Sequence, residues 1–218
     1  PDLETRPTDD YFARQDLDPA FRTNQARVNR ELIALVNASG PKMKAILSTS
    51  SPVSVTARAK QAGMELYWWN PIYDDYDAPD SITKKLFDSN GIPCMVTGGN
   101  VGTCAWILAH AILRHKNVAL VGMDLGYAPG TPLLNTQYYY ELKELLGDRV
   151  AQGYIDVYNP HLKQTWFTDP TYYWYRQIFI DLAKSAECGT YNCTEGGTLF
   201  SDDIPFIALD EFLKKFGE

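Results

Sequence analysis

Histidine is scarce in this 218-residue chain, at three residues, and the four cysteines show no C-x-x-C spacing. That combination argues against a structural zinc site, whose ligands come from closely spaced Cys and His pairs. No run approaches the roughly 20 apolar residues of a membrane span. No charged-then-apolar signal segment opens the chain. Positive charge is also in deficit: 20 Lys and Arg against 27 Asp and Glu leave a net charge of −7. Such a chain has no basic stripe to neutralise a nucleic-acid polymer, although one local site for a single nucleotide stays open. The sequence begins at Pro1 without an initiating Met, so it is expected to be a processed product or a piece of something longer.

What is present is the composition of an ordinary globular protein, 45% hydrophobic and 22% charged, with a length that suits one large domain or two small ones. Fourteen tyrosines raise the aromatic share to 13%. Tyr-rich surfaces suit ligand clefts, though tyrosine at a core edge is the commoner explanation. Cys94 and Cys104 sit in apolar contexts and read as core residues of a cytoplasmic protein. Cys188 and Cys193 flank a strand start and can pair, but reduced thiols are expected. Asn192-Cys193-Thr194 matches the glycosylation pattern and is expected to go unused without a secretory signal.

Strand and helix patterns alternate along the chain. Residues 1–25 are polar and acidic and read as an irregular arm; 26–218 reads as a single α/β domain. Helices are expected over 27–37, in a segment capped by Ser50 and Ser51 and running to Gln61, and over 81–89, 101–115, 138–146, 171–186 and 207–216. Strands are expected over 44–49, 64–69, 94–97, 118–121 and 190–193, with 154–158 and 163–167 paired as a hairpin across Asn159-Pro160-His161. This alternation implies a mostly parallel sheet covered on both faces, a Rossmann-like three-layer sandwich.

The most informative stretch is 93–127, a strand, a glycine loop, a helix and a second strand ending near Asp124. Open α/β sheets bind ligands at the carboxyl ends of their strands, and helix N-termini favour anions. Gly99 and Gly102 match the last two positions of G-x-G-x-x-G, but Thr97 occupies the first, so a dinucleotide oxidoreductase is disfavoured. Asp124 lies about 25 residues further on, where a ribose-binding acid stands in dinucleotide folds. A second constellation, Asn192-Cys193-Thr194-Glu195-Gly196-Gly197-Thr198, again sets two glycines after a short strand. If it shares the same edge, Thr194, Glu195 and Gly196 would face the Gly98 loop across one cleft. Arg176 can clamp a phosphate while Tyr172 or Tyr175 stacks on a base. His161 is the one histidine in a lid position; His110 and His115 read as structural or solvated.

VTGGNVGTCA, ALVGMDLGY and YNCTEGGTLFSDDIP together resemble the family of archaeal MptE-like 6-hydroxymethylpterin diphosphokinases and bacterial motility-associated flagellin glycosyltransferases (Maf). The likeness spans roughly residues 90–216, through Gly98 to Val101, Gly122 to Tyr127 and Asn192 to Gly197. It implies a Rossmann-like core similar to that of bacterial sialyltransferases and a cleft for a nucleotide or nucleotide sugar. Two departures stand out. The upstream G-x-G-P-S-L loop is absent, and Asp16-Leu17-Asp18-Pro19 keeps only three letters of the D-L-D-G motif of the pterin kinases.

The expectation is therefore a nucleotide-dependent transferase, glycosyltransferase-like, with a small-molecule or glycan acceptor. Gly98, Gly99 and Asn100 would hold the donor's phosphates, with Tyr127, Thr194, Gly196, Gly197 and Arg176 completing the donor site. Asp124 would contact ribose or sugar, and Glu195 would orient or deprotonate the acceptor. The alternatives are ATP-dependent pyrophosphoryl transfer to a pterin-like alcohol and a non-catalytic nucleotide-binding module. Only the pyrophosphoryl alternative implies Mg²⁺.

Overall fold

A computed structural model describes residues 31–217. The arm over 1–25, Asp16 to Pro19 and the start of the first expected helix lie outside the described residues. The chain divides into two compact units, one ending at Val96 and the other beginning at Thr97. Both mix helices with small sheets.

In the first unit a helix over 31–39 (α1) leads to β1 (Lys44–Ser48), α2 (Val53–Gln61), β2 (Glu65–Pro71), α3 (Ile82–Asn90) and β3 (Cys94–Met95). The strands pair in the order β1-β2-β3, all parallel, with Lys44 opposite Glu65 and Asn70 opposite Cys94. Parallel neighbours need a crossover, and α2 and α3 supply it. Buried Asn70 ties the crossovers together: its Oδ1 accepts from Thr49 Oγ1 at 2.9 Å, and its Nδ2 donates to the Ile92 carbonyl at 2.8 Å. The expected Ser50–Ser51 cap of α2 does not form. Ser50 hydrogen-bonds Ser48 Oγ, and Pro52 stands at the cap position without a side-chain bond. The acidic loop after β2 has a structural task. Asp74 accepts from Ile82 N, Thr83 N, Thr83 Oγ1 and Ser81 Oγ, and those bonds hold its carboxyl well below the usual range.

The second unit contains α4 (Val101–Ile107), β4 (Asn117–Leu120), α5 (Tyr139–Leu146), β5 (Ile155–Asn159), β6 (Gln164–Thr168), α6 (Pro170–Ser185), β7 (Gly189–Asn192) and α7 (Leu209–Phe216). β4 and β7 are parallel neighbours, with Leu120 opposite Asn192. β5 and β6 form the expected antiparallel hairpin. The single helix expected over 101–115 instead widens after Ile107 into a π turn at Leu108–Ile112, and Arg114 takes a φ of 63° beyond it. The core gathers Trp106, Leu120, Phe179, Leu199 and Ile204, all nearly or wholly buried. Trp106 packs 5.0 Å from Phe179, and its Nε1 donates to Thr190 Oγ1 on β7 at 2.9 Å. Thus α4 and α6 are fastened to the β4–β7 pair.

The architecture is mixed α/β, as expected, but among the described residues the strands fall into three small sheets rather than one broad parallel one. Short strands explain this, since β3 spans two residues and β4 and β7 four each. No described helix is long and apolar enough to cross a membrane.

Candidate active site

The carboxyl end of β4 opens into residues 121–127, and three threonines hold that segment's backbone. Thr194 Oγ1 accepts from Met123 N at 3.3 Å and donates to the Leu120 carbonyl at 3.3 Å. Thr198 donates its N–H to the Asp124 carbonyl at 2.7 Å and its hydroxyl to the Leu125 carbonyl at 2.7 Å. Thr168 Oγ1 reaches the same Leu125 carbonyl at 2.9 Å. All three are buried. Gly197 lies so close that an added Cβ would stand 2.4 Å from Asp124 Cα, and its φ of 87° suits glycine alone. The late glycine turn therefore acts as a clamp on the Asp124 backbone.

The Asp124 side chain, by contrast, is not tied down by the described residues. No described residue forms a hydrogen bond or ion pair with its carboxylate, and partial burial pushes its pKa up. It lines a cleft of about 450 Å³ together with Asn100, Val101, Gly102, the remainder of residues 121–127, Tyr172 and Tyr175. A carboxylate that is partly desolvated and unpaired is chemically available, either to accept hydrogen bonds from hydroxyls or to take a proton.

Aromatic rings make the other wall. Tyr127 stacks on Tyr172 at 5.6 Å and packs 5.4 Å from Phe167. Its hydroxyl donates to Asp169 Oδ2 at 2.7 Å and accepts from Gln137 N at 2.9 Å. Burial, then the charge of Asp169, drives the Tyr127 phenol far above its ordinary value, so it stays protonated. Asp169 is itself fully buried and caps α6 by accepting from Thr171 N and Tyr172 N, both at 2.9 Å. Burial raises its pKa, while the bond from Tyr127 is the largest of the effects that lower it. Tyr172, one turn into α6, is pushed up to about 12, first by burial and then by the Asp169 charge. It is a neutral phenol at the cleft wall.

Of the residues expected from sequence, the structure brings Asn100, Asp124, Tyr127, Tyr172 and Tyr175 to this cleft. Asn100 caps α4: its Oδ1 accepts from Thr103 N at 2.9 Å and its Nδ2 donates to Thr103 Oγ1 at 2.9 Å. Gly98 and Gly99 do not line the cleft. Gly99 lies against α6, where an added Cβ would stand 2.5 Å from Tyr175 Cε1. Thr194, Gly196 and Gly197 pack against the 120–126 segment. Gly196 leaves room for Trp166 and for the Asp124 carboxylate, which a Cβ would approach to 2.7 and 3.0 Å. Glu195 is exposed and is not part of the cleft lining. Arg176 is turned onto protein carbonyls, Nε to Thr198 and Nη2 to Phe200 at 3.3 Å, with its guanidinium 5.1 Å from the Phe200 ring. Burial lowers its pKa.

Sequence reasoning missed Asp169, although Asp169-Pro170 before an aromatic run is the signature of a capped helix with proline in its first turn. For Mg²⁺ the residues present do not build a protein-held site: among the described residues no group of three or more His, Cys, Asp or Glu could hold a metal ion. Comparisons with protein-family models, curated proteins and solved structures found no match.

Proposed function

We propose that the chain is a nucleotide-dependent transferase with glycosyltransferase-like chemistry, and that the Asp124 cleft is where an activated sugar meets its acceptor. The observation that carries this reading is the free, partly desolvated Asp124 carboxylate on a clamped backbone, beside stacked tyrosines at the carboxyl end of a parallel strand. Open α/β folds bind their ligands at that edge. Tyr172 and Tyr175 offer ring faces to a base or sugar, and the Tyr172 phenol supplies a hydrogen-bond donor. Asp124 takes the proton of the acceptor hydroxyl as that oxygen attacks the anomeric carbon. The bond to the nucleotide phosphate breaks, and the leaving nucleotide carries away the electron pair. In this reading Asp124, not the exposed Glu195, is the base.

The parallel strand pairs within each unit suit Rossmann-like α/β layering of the Maf and MptE-like kind, and the four free cysteines suit a reducing cytoplasm. The test is thermal unfolding of the full chain with nucleoside diphosphates, CMP and their sugar conjugates, followed by donor turnover. A ligand that binds only the folded state must raise the midpoint. Midpoints that no member of the panel moves would refute the proposal. Binding without turnover would leave a non-catalytic nucleotide-binding module, and AMP release from ATP with a pterin alcohol would favour pyrophosphoryl transfer.

A further inference from the structure

A second cavity in the Thr97–Glu218 unit, of about 600 Å³, lies between the β5–β6 turn and the segment after Phe200. Its lining is Pro160, His161, Phe200, Ser201, Asp202 and Pro205. The walls are rigidly held. Asn159, fully buried, accepts from His161 N at 3.0 Å and donates to the Gly197 carbonyl at 2.9 Å, which fixes the turn. Asn192 N bonds the Pro205 carbonyl at 2.9 Å, and Ile204, fully buried, closes a tight turn on Ser201. His161 lies flat on Phe206, 5.2 Å away at 9°, and edge-on to Phe200 at 6.1 Å. Ser201 Oγ is shielded from solvent and has no hydrogen-bond partner among the described residues.

Apolar ring and proline faces with a few polar groups, on walls that need not move, are the pattern of a small-molecule site. Charge narrows the ligand. Asp202 lines the cavity, Asp203 follows it, and the chain carries −7 overall. Of the neighbouring cations, Arg176 already donates to Thr198 and Phe200, and Lys163 in the β5–β6 turn is not part of the lining. Among the described lining residues an anion would therefore meet the Asp202 charge with no Lys or Arg opposite it. A lone exposed carboxylate adds little net attraction for a cation, so the ring and proline faces dominate the recognition, and the carboxylate accepts from ring hydroxyls in charge-assisted hydrogen bonds. We propose that this pocket is a second ligand site, for an uncharged, hydroxyl-bearing ring of the monosaccharide kind. The ring packs against His161 and Phe200, whose planes stand 69° apart, stacking on one and meeting the edge of the other, and hydrogen-bonds Asp202. The site is separate from the Asp124 cleft and does not rest on the transferase reading.

The chain has only three histidines, so proton NMR of the imidazole C2–H follows His161 directly, with His161→Gln assigning the resonance. The probes are methyl glucopyranoside and N-acetylglucosamine as uncharged rings, glucosamine as a cation and glucose 6-phosphate as an anion, all at one pH. The uncharged rings should shift the His161 signal saturably while His110 and His115 stay put. Asp202→Asn, at an exposed turn, should weaken that binding about tenfold, and Asp124→Asn should leave it unchanged. No saturable shift with either uncharged ring would overturn the proposal. So would tighter binding of the amine or the phosphate, or an Asp202→Asn variant that binds like the parent.

Discussion

Gly197→Ala probes the clamp on Asp124. Two costs act there. The φ of 87° belongs to the left-handed region, where a Cβ costs about 1–2 kcal/mol, reduced by about 0.4–1 kcal/mol because alanine also narrows the unfolded ensemble. The new Cβ would in addition stand 2.4 Å from both Cα and O of Asp124. Backbone cannot rotate away as a side chain can, so overpacking adds about 1–3 kcal/mol. The sum is a loss of about 1–5 kcal/mol, centred near 3. Gly130→Ala is the control, since its φ is 80° but nothing lies within 4 Å of the added Cβ; it should lose only about 1 kcal/mol. Urea unfolding of the full chain, read by circular dichroism, measures both. Equal midpoints for the two variants would refute the clamp, because the φ penalty is common to them.

Three further outcomes follow from the geometry. Burial raises the Asp124 pKa above the ordinary 3.8, so the native state holds its proton more tightly than the unfolded chain and stability falls as pH rises through that window. Asp124→Asn should therefore be at least as stable as the parent near neutrality, with the advantage vanishing below about pH 4; a less stable variant at neutral pH would show that the carboxylate has a partner. Thr190→Val should cost about 1–3 kcal/mol in chemical denaturation, because it leaves the Trp106 N–H buried without an acceptor. Arg176→Lys should lower the thermal midpoint by loosening Thr198 and Phe200 while leaving nucleotide affinity unchanged. A large affinity loss at an unaltered midpoint would restore the phosphate-clamp role.

Local patterns made much of the fold legible. Alternation across Asn159-Pro160-His161 marks the β5–β6 hairpin, and Asp124 stands out as an acid just beyond a buried strand. The π turn after Ile107 left no trace, since its widened hydrogen bonding changes neither composition nor periodicity over so few residues. β3 ends at Met95, before the expected Thr97, because the chain turns at Gly98 with a φ of 59°. The supports of the site were illegible for another reason. Thr194 and Thr198 meet residues 120–125 across more than 70 positions of sequence, and Tyr127 meets Asp169 across 42. A single threonine or tyrosine says nothing of such a distant partner. Glycine motifs mislead in the same way: Gly99, Gly196 and Gly197 mark close approaches of protein to protein as much as approaches to a ligand.

The role of Asp124 is tested most directly by donor binding and turnover of the parent and Asp124→Asn, measured by calorimetric titration and nucleotide release with a panel of nucleotide sugars. At least one donor should bind both proteins with similar affinity, and turnover by the variant should fall by about a hundredfold or more. A panel that binds neither protein, or a variant that turns over like the parent, would contradict that role.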